Sequence, residues 1–351
     1  MQLTAKIKLV ATNSQKKLLQ STLRTYIDTV NNTADRMIAS KETLRLSSKD
    51  IFATLPSAVK NQAIRDSKTV VSKYRKTKRR SILRNPMCTW NNQNYKIVDD
   101  TISFPIMIKG KSKRIRIKLL LSDYHKNLLE NKHGTLRITK KSKKWFAQIA
   151  VDVKEKKAKK SNKIMGVDLG IKVPAVAHIS NHKTKFFGNG RENKYVRRRY
   201  AASRKELAHS KKLKEIKKRN NKEQRWMNDK DHKVSKAIVL FALLHNVSLI
   251  KLEHLKNIRN TASTSRKNKK TLHKWSFYRL AGYVEYKAKL EGIRVEYINP
   301  RNTSKRCPRC KKLNVARGRK YGCSCGFKSH RDRVGAMNII NATVVNGVAI
   351  S

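Results

Sequence analysis

Three carboxylates stand out in a chain that carries 84 Lys and Arg against 23 Asp and Glu. Asp168 follows the apolar run 164–167 and sits between Gly166 and Gly170. Glu253 ends the apolar stretch SLIKL, and Asp332 opens the helix-like RVGAMNII. Strand ends and helix starts are where α/β proteins keep functional groups. The chemistry that calls for such a set is metal-assisted phosphodiester hydrolysis, with two divalent cations about 4 Å apart activating water and stabilising the leaving oxygen. Mg2+ (or Mn2+) prefers oxygen ligands and Mg2+ keeps several waters, so a few carboxylates suffice. Taken singly, each acid has a plainer reading. Asp168 can stabilise its Gly-flanked turn, Asp332 can cap a helix, and Glu253 can pair with a neighbouring lysine. Their joint order is what favours a site.

A second constellation lies just before Asp332. Cys307 and Cys310 are separated by two residues; twelve residues follow, and then Cys323 and Cys325 with one residue between them. This is the layout of a zinc ribbon, two knuckles held apart by a loop. The alternative is four reduced cysteines without metal. Four thiolates fill a tetrahedral site, so the Zn2+ expected here is structural, and His330 is a spare at the surface. Gly326 suits the tight turn of the second knuckle. Cys88, alone in NPMCTW, reads as an ordinary small residue.

The composition narrows the partner. A formal charge of +61 makes a folded chain repel itself unless a polyanion neutralises it, and nucleic acid is that polyanion. The charge runs through the whole chain instead of lying on one amphipathic helix, which sets a membrane-surface protein aside. The opening MQLTAKIKLV lacks the apolar core of a signal peptide, and the longest apolar run, 237–244, is too short to cross a bilayer. The expectation is a soluble, intracellular (cytoplasmic) nucleic-acid binder with no membrane partner.

The elements that must position these groups can be read from periodicity. Residues 2–10 alternate as a strand. A helical pattern runs from about 14 to 84 and ends in the basic SKYRKTKRRSILRN, and short alternating stretches return from about 97 to 153. The simplest picture is a β-barrel-like domain (1–12 and 90–160) interrupted by a helical insert (13–89). KEKKAKKSNK (154–163) reads as a linker. Strand, turn and strand follow in IMGVDLGIKVPAVAHIS. Residues 191–230 are polar and helical, with 16 Lys and Arg against 5 acids. VSLIKLEHL is a strand, RLAGYVEYKAKLEG a helix ended by Gly292, and IRVEYIN another strand. Strands alternating with helices make this second part an α/β layer.

In that order, GVDLGIK, LIKLEHLKNIR, HKWSFYRLAGYVEYKAKLEGIRVEYINPRNTSKRCPRC and CSCGFKSHRDRVGAMNII resemble the C-terminal half of TnpB (OrfB), from about 164 to 340. TnpB is encoded by bacterial insertion sequences and is related to the type V CRISPR effectors. The N-terminal half is similar more loosely, through LTAKIKL and the strand, helical insert and barrel plan. The resemblance implies a multidomain α/β protein: a RuvC-like, RNase H-type nuclease domain (161–305 and 327–351), a zinc ribbon insert for target nucleic acid (306–326), a wedge-like barrel and a helical recognition insert. It implies an RNA-guided DNA endonuclease whose guide RNA comes from the element's own end and whose target is double-stranded DNA beside a short flanking motif. Asp168, Glu253 and Asp332 then match the acids of the first, second and third RuvC motifs. The third motif reads Val334-Gly335-Ala336 where the family often has Asn-Ala-Ala, the Cys-x-Cys knuckle is a minority form, and few residues follow Asn346. None of these removes a ligand.

In that class base pairing reads sequence while the protein holds the heteroduplex by its backbone. The expected phosphate contacts are Lys73, Arg75, Lys76, Arg79 and Arg80 at the end of the first helical region. Arg197, Arg198 and Arg199, with Lys217, Lys218 and Arg219, are expected from the 191–230 segment. For any one of them a solvated basic face is the plainer reading. Trp226, Trp275, Phe277 and Tyr278 can stack on bases, although the periodicity of WSFYRLAGYV puts Trp275 and Phe277 in the core. The alternatives are a CRISPR-associated type V-like effector, an RNA-guided DNA-binding repressor that does not cut, and a general zinc-ribbon RNA binder. A monomer is the expected assembly.

Overall fold

The computed structural model describes the whole chain except residues 41–43, 220, 257, 262–264, 317 and 346–351 and the side chains at 260, 261, 266 and 267. Asn346 and the residues after it, placed above in the nuclease domain, lie outside the described residues. The chain divides into two units, 1–154 and 155–351.

In the first unit, β1 (Gln2–Val10) turns Ala5, Ile7 and Leu9 inward and its lysines outward. Two helices, α1 (Asn13–Ala39) and α2 (Ser57–Thr77), follow before the chain returns to strands. A capping box starts α1: the Gln15 amide donates to Thr12 Oγ1 at 3.3 Å, and the Thr12 amide donates to Gln15 Oε1 at 2.9 Å. The helical pattern therefore does not run to Arg84. It breaks after Ala39, and α2 stops where Lys78 takes a left-handed φ of 54°. Beyond it the chain is tied to α1, because Asn31 exchanges hydrogen bonds with the Leu83 backbone at 2.9 and 3.0 Å.

The remaining strands are β2 (Met87–Trp90), β3 (Lys96–Val98), β4 (Thr101–Ile108) and β5 (Lys111–Leu120), then β6 (Lys132–Lys141) and β7 (Lys144–Asp152), with a short α3 (Asp123–Leu129) after β5. All ladders are antiparallel, in the order β2-β6-β7-β1-β5-β4-β3. Among the described residues no ladder joins β2 to β3, so the sheet is an open half-barrel. Its concave core holds Trp90, Phe104, Leu136 and Ile149 with Tyr26 and Leu23 of α1. Cys88 is buried there, its thiol pushed up by that burial, in keeping with a packing role.

In the second unit, β8 (Ile164–Leu169), β9 (Ala175–Ile179) and β10 (Thr184–Phe187) form a meander. A helical stretch follows: α4 (Gly190–His209), α5 (Leu213–Arg219) and α6 (Lys222–Leu244). Then come β11 (Leu249–Glu253), α7 (Ile258–Thr261), α8 (Arg266–His273), α9 (Phe277–Leu290) and β12 (Arg294–Ile298). A two-stranded hairpin, β13 (Lys320–Gly322) and β14 (Lys328–His330), leads directly into α10 (Arg331–Ile340). The five-stranded sheet runs β10-β9-β8-β11-β12, with β8, β11 and β12 parallel and β9 antiparallel to both of its neighbours, β8 and β10. α6 and α9 cover one face with Ile238, Phe241, Leu280 and Val284.

The lysine-rich 154–163 run is held in place. The Lys156 and Lys159 amides donate to Leu290 O and Gly292 O at 3.1 and 3.0 Å. Gly292 has a φ of 71°, and a Cβ there would lie 2.1 Å from Lys157 O, so only glycine fits where this run crosses the end of α9. No described helix is long and apolar enough to cross a membrane.

Candidate active site and metal centre

The parallel register brings two of the acids together. Leu252 pairs with Val167 across β11 and β8, so Glu253 and Asp168 come next, at the same end of adjacent strands. Side chains alternate along a strand, so Gly166, Asp168, Lys251 and Glu253 share one face. That face is covered by α10. A Cβ on Gly166 would lie 2.2 Å from Ala336 O, and one on Gly335 would lie 2.8 Å from Asp168 Oδ2. Lys251 Nζ donates to Ile340 O at 2.7 Å, fixing the far end of the helix. Asp332, in the first turn of α10, is thereby carried toward Asp168.

The bare glycine is what allows this approach, and it gives a prediction. Gly166→Ala forces β8 and α10 apart, an overpacking worth about 1–3 kcal/mol. The expected result is a thermal midpoint several degrees lower and a large loss of any activity of the carboxylates. Gly282→Ala, in open space on α9, should leave the midpoint unchanged or raise it. Equal midpoints for Gly166→Ala and the unsubstituted chain would refute the close packing.

The electrostatics are those of crowded acids. Asp168 is held well above the usual carboxylate range, first by burial and then by Glu253 and Asp332, with Arg319 and Arg331 opposing. Glu253 is raised by burial, against a hydrogen bond from Thr303. Thr303 Oγ1 donates to Glu253 Oε1 at 2.6 Å. Asp332 is 7 % exposed; Arg319 Nη1 donates to its Oδ1, and its Oδ2 is buried without a partner among the described residues. A buried orphan oxygen beside two further acids is a donor set that suits a hard cation. The three acids do not form a tight cage, since only the cysteines have ligand atoms all within 4.8 Å of one another among the described residues. A spread set is what two cations about 4 Å apart would require.

The plainer reading of Asp332 as a helix cap does not hold. His330 is the cap: its Nδ1 accepts from the Asp332 amide at 3.3 Å, and its ring stands edge-on to Phe186 at 5.1 Å. His330 is therefore not a spare surface histidine.

The cysteines meet as their spacing predicts. Cys307 and Cys325 Sγ are 3.7 Å apart, and Cys310 and Cys323 Sγ are 3.4 Å apart. Tetrahedral zinc with bonds of about 2.3 Å would set sulfurs about 3.8 Å apart, so the four thiols fit such an ion. The Cys323 thiol is drawn down to about 6, chiefly by the Cys325 backbone amide, while its neighbour Cys310 is pushed up to about 11 against the Lys312 backbone amide; a metal would need both as thiolates. Gly326, at a φ of 81°, closes the second knuckle by donating to Cys323 O at 3.0 Å. Tyr321 is buried beneath the cluster and donates to Lys305 O at 2.9 Å.

Arg319, Thr303 and Asn338 were not among the sequence-derived site residues. Asn338 of α10 donates to Thr303 O and Arg306 O, both at 2.7 Å, and so locks the loop that carries Glu253's partner into the first knuckle.

Of the expected phosphate contacts, Lys73, Arg75 and Lys76 lie in the last turns of α2, Arg197, Arg198 and Arg199 lie on α4, and Lys217, Lys218 and Arg219 lie at the end of α5. Arg79 lies just beyond α2. Arg80 is engaged internally, donating to Asp35 and to Asn31 O. Lys218 pairs with Glu215. Phe277 is buried and Trp275 packs against it at 5.1 Å, whereas Tyr278 is 54 % exposed.

Residues 277–339 match the family model described as Cas12f1-like, TNB domain. A TnpB-like protein of Methanocaldococcus jannaschii is 32% identical over 250 residues, covering 66% of this chain and 88% of that one. The CRISPR-associated endodeoxyribonuclease Cas12f1 of Sulfoacidibacillus thermotolerans is 27% identical over 280 residues, 74% of this chain and 62% of that one. Among solved structures, a Cas12f1–sgRNA–target DNA complex aligns with a TM-score of 0.69 at 16% identity, covering 94% of this chain and 82% of that one. The fold and site thus define an α/β protein with a four-cysteine cluster set before an acid-bearing helix. The chain belongs to the TnpB-like family.

Proposed function

We propose that this protein is an RNA-guided DNA endonuclease of a transposable element, cutting complementary double-stranded DNA by metal-dependent phosphodiester hydrolysis. The observation that carries the reading is the convergence of Asp168 and Glu253 of the sheet with Asp332 of α10, with a buried carboxylate oxygen left over. On this reading the second unit is a RuvC-like nuclease domain with the zinc ribbon inserted in it, and the first is the wedge-like domain with its helical recognition insert. The TnpB-like relative, and the Cas12f1 relatives named as endodeoxyribonucleases, support it.

The three acids would hold Mg2+ or Mn2+, which supplies a Lewis acid for the scissile phosphate and a water acidified by coordination. The chain's own residues do the positioning. Thr303 orients Glu253, His330 caps the helix that presents Asp332, and Gly335 leaves room for Asp168. Arg319 balances the charge of Asp332. The basic faces of α2, α4 and α5 would track the guide RNA and the guide–target duplex, with affinity falling steeply in salt.

The test is to express the gene with its native flanking DNA, purify the protein in high salt and sequence the retained RNA. One discrete RNA, with a constant scaffold and a 3′ segment running past the element's end, is expected, and it should direct cleavage of matching DNA. Repeat-derived RNA would make the protein a CRISPR-associated effector. Mixed cellular RNA, or none, would sink the guided-nuclease reading.

A further inference from the structure

The second unit contains a cavity that none of the residues above explains. It has a volume of about 710 Å³, lies among α4, α6 and the start of α9, and is lined by seven Lys and Arg against one acid, Glu223. Two of its arginines come from different helices and converge on consecutive carbonyls. Arg197 Nη1 of α4 donates to Lys274 O, and Arg259 Nη2 of α7 donates to Trp275 O at 3.1 Å. Both guanidiniums are thereby fixed in orientation, and Arg259 is also stacked over Phe277 at 5.3 Å. Yet the Nε of each is buried with no hydrogen-bond partner among the described residues. Burial lowers the pKa of Arg197, so this positive charge is held where water screens it poorly. Two of the other five cations around the cavity have acids: Arg279 donates to Asp231 at 2.6 and 2.8 Å, and Arg204 pairs with Glu223 at 2.7 Å. Arg197 feels Glu223 and Asp231 from a distance, but neither it nor Arg259 makes an ion pair among the described residues.

A smaller cavity of about 340 Å³ adjoins it. It shares Arg197, Met227, Lys274, Trp275 and Ser276 with the first, and adds the apolar walls Ile171, Pro174 and Leu280. Gly170 also lines it, two residues beyond Asp168.

We propose that these two cavities together form a docking subsite for one nucleotide of a single strand, its phosphodiester on Arg197 and Arg259 and its base in the smaller cavity against Trp275. Oriented guanidinium forks suit a phosphate. A cavity with apolar walls and an indole among its lining residues suits a base whatever its identity. A duplex cannot enter, because a paired base is not free to leave its stack. The inference rests on the nucleic-acid reading of the protein, and it places one nucleotide beside the end of the strand that bears Asp168.

The test uses the full chain without guide, mixed with single-stranded pentamers carrying 5-iodouridine or 5-iodo-2′-deoxyuridine, followed by irradiation and peptide mass spectrometry. The expected adduct falls on Trp275, the aromatic residue that lines the smaller cavity. Capture of the ribose probe alone assigns the subsite to RNA, capture of the deoxyribose probe alone assigns it to DNA, and either supports the proposal. Arg259→Met should weaken pentamer binding about tenfold and reduce the salt slope by about one, with an unchanged melting profile as the check on folding. Absence of any adduct in the 197–279 region, or an Arg259→Met chain that binds as well as the parent, overturns the subsite. Guided cleavage without an adduct sinks this proposal alone. An adduct without guided cleavage sinks the endonuclease reading and leaves the subsite standing.

Discussion

Asp168→Ala should reduce guided DNA cleavage by at least about 10³-fold while the protein still retains its RNA. Glu253→Ala and Asp332→Ala should do the same. Each removes an oxygen from a set that would stabilise charge on a phosphate by several kcal/mol, and about 4 kcal/mol corresponds to that factor. On the proposed function, RNA retention would rest on the basic faces and not on the three acids. A second substitution separates function from folding. Asp168 is crowded by burial and by two acids, so its carboxyl is held well above the usual range. A carboxyl raised in the native state stabilises the fold only at acid pH, and that contribution is lost as pH rises past its unfolded value near 4. Asp168→Asn has the same shape and no charge. In chelator at neutral pH it should therefore melt a few degrees higher than the parent, and it should be inactive in Mg2+. Wild-type cleavage rates in the purified alanine variants would end the metal-site assignment. A lower midpoint for Asp168→Asn would show that the acids are not crowded as described.

The parts of this site that were legible in the sequence share a physical origin. β8 and β11 are short runs of buried apolar residues, and an acid at the end of such a run is conspicuous in a chain with so few acids. The cysteines were legible because a knuckle is local: two ligands and a turn within a few residues. What was missed depends on contacts that close long loops. Thr303 reaches Glu253 across 50 positions, Asn338 reaches Thr303 across 35, and Arg80 reaches Asp35 across 45. Nothing in the local pattern of PRNTSKRC distinguishes Thr303 from its neighbours. His330 was misread for the converse reason. Its role is local, but histidine is an uncommon cap, and the four cysteines beside it already filled a tetrahedral site. The first helical tract was drawn too long because basic residues support a helix in composition, whereas Lys78 leaves it in a left-handed turn.

Cys307→Ser should abolish zinc binding, and with it cleavage, although no acid is touched. Cys307 is fully buried among Tyr321 and Val334, and its sulfur lies 3.7 Å from that of Cys325. At a structural zinc site binding free energy is folding free energy, on the order of 10 kcal/mol in isolated zinc peptides. Loss of one thiolate therefore unfolds the ribbon instead of merely weakening it. The consequence travels a short distance. β14 ends at His330 and α10 begins at Arg331, so the hairpin that carries the second knuckle at its turn delivers the cap, and the cap delivers Asp332. The loop before the first knuckle carries Thr303 to Glu253. A melted ribbon thus loosens the supports of two acids at once. Elemental analysis should fall from one zinc per chain to near none, and the melting profile should lose its ribbon contribution. Cys88→Ser provides the contrast: Cys88 is buried in the other unit's core, so its substitution should lower stability and leave zinc content unchanged. A Cys307→Ser chain that keeps full stability and contains no zinc would show that the ribbon folds without metal. One that loses zinc but cuts normally would show that Asp332 is positioned by α10 alone.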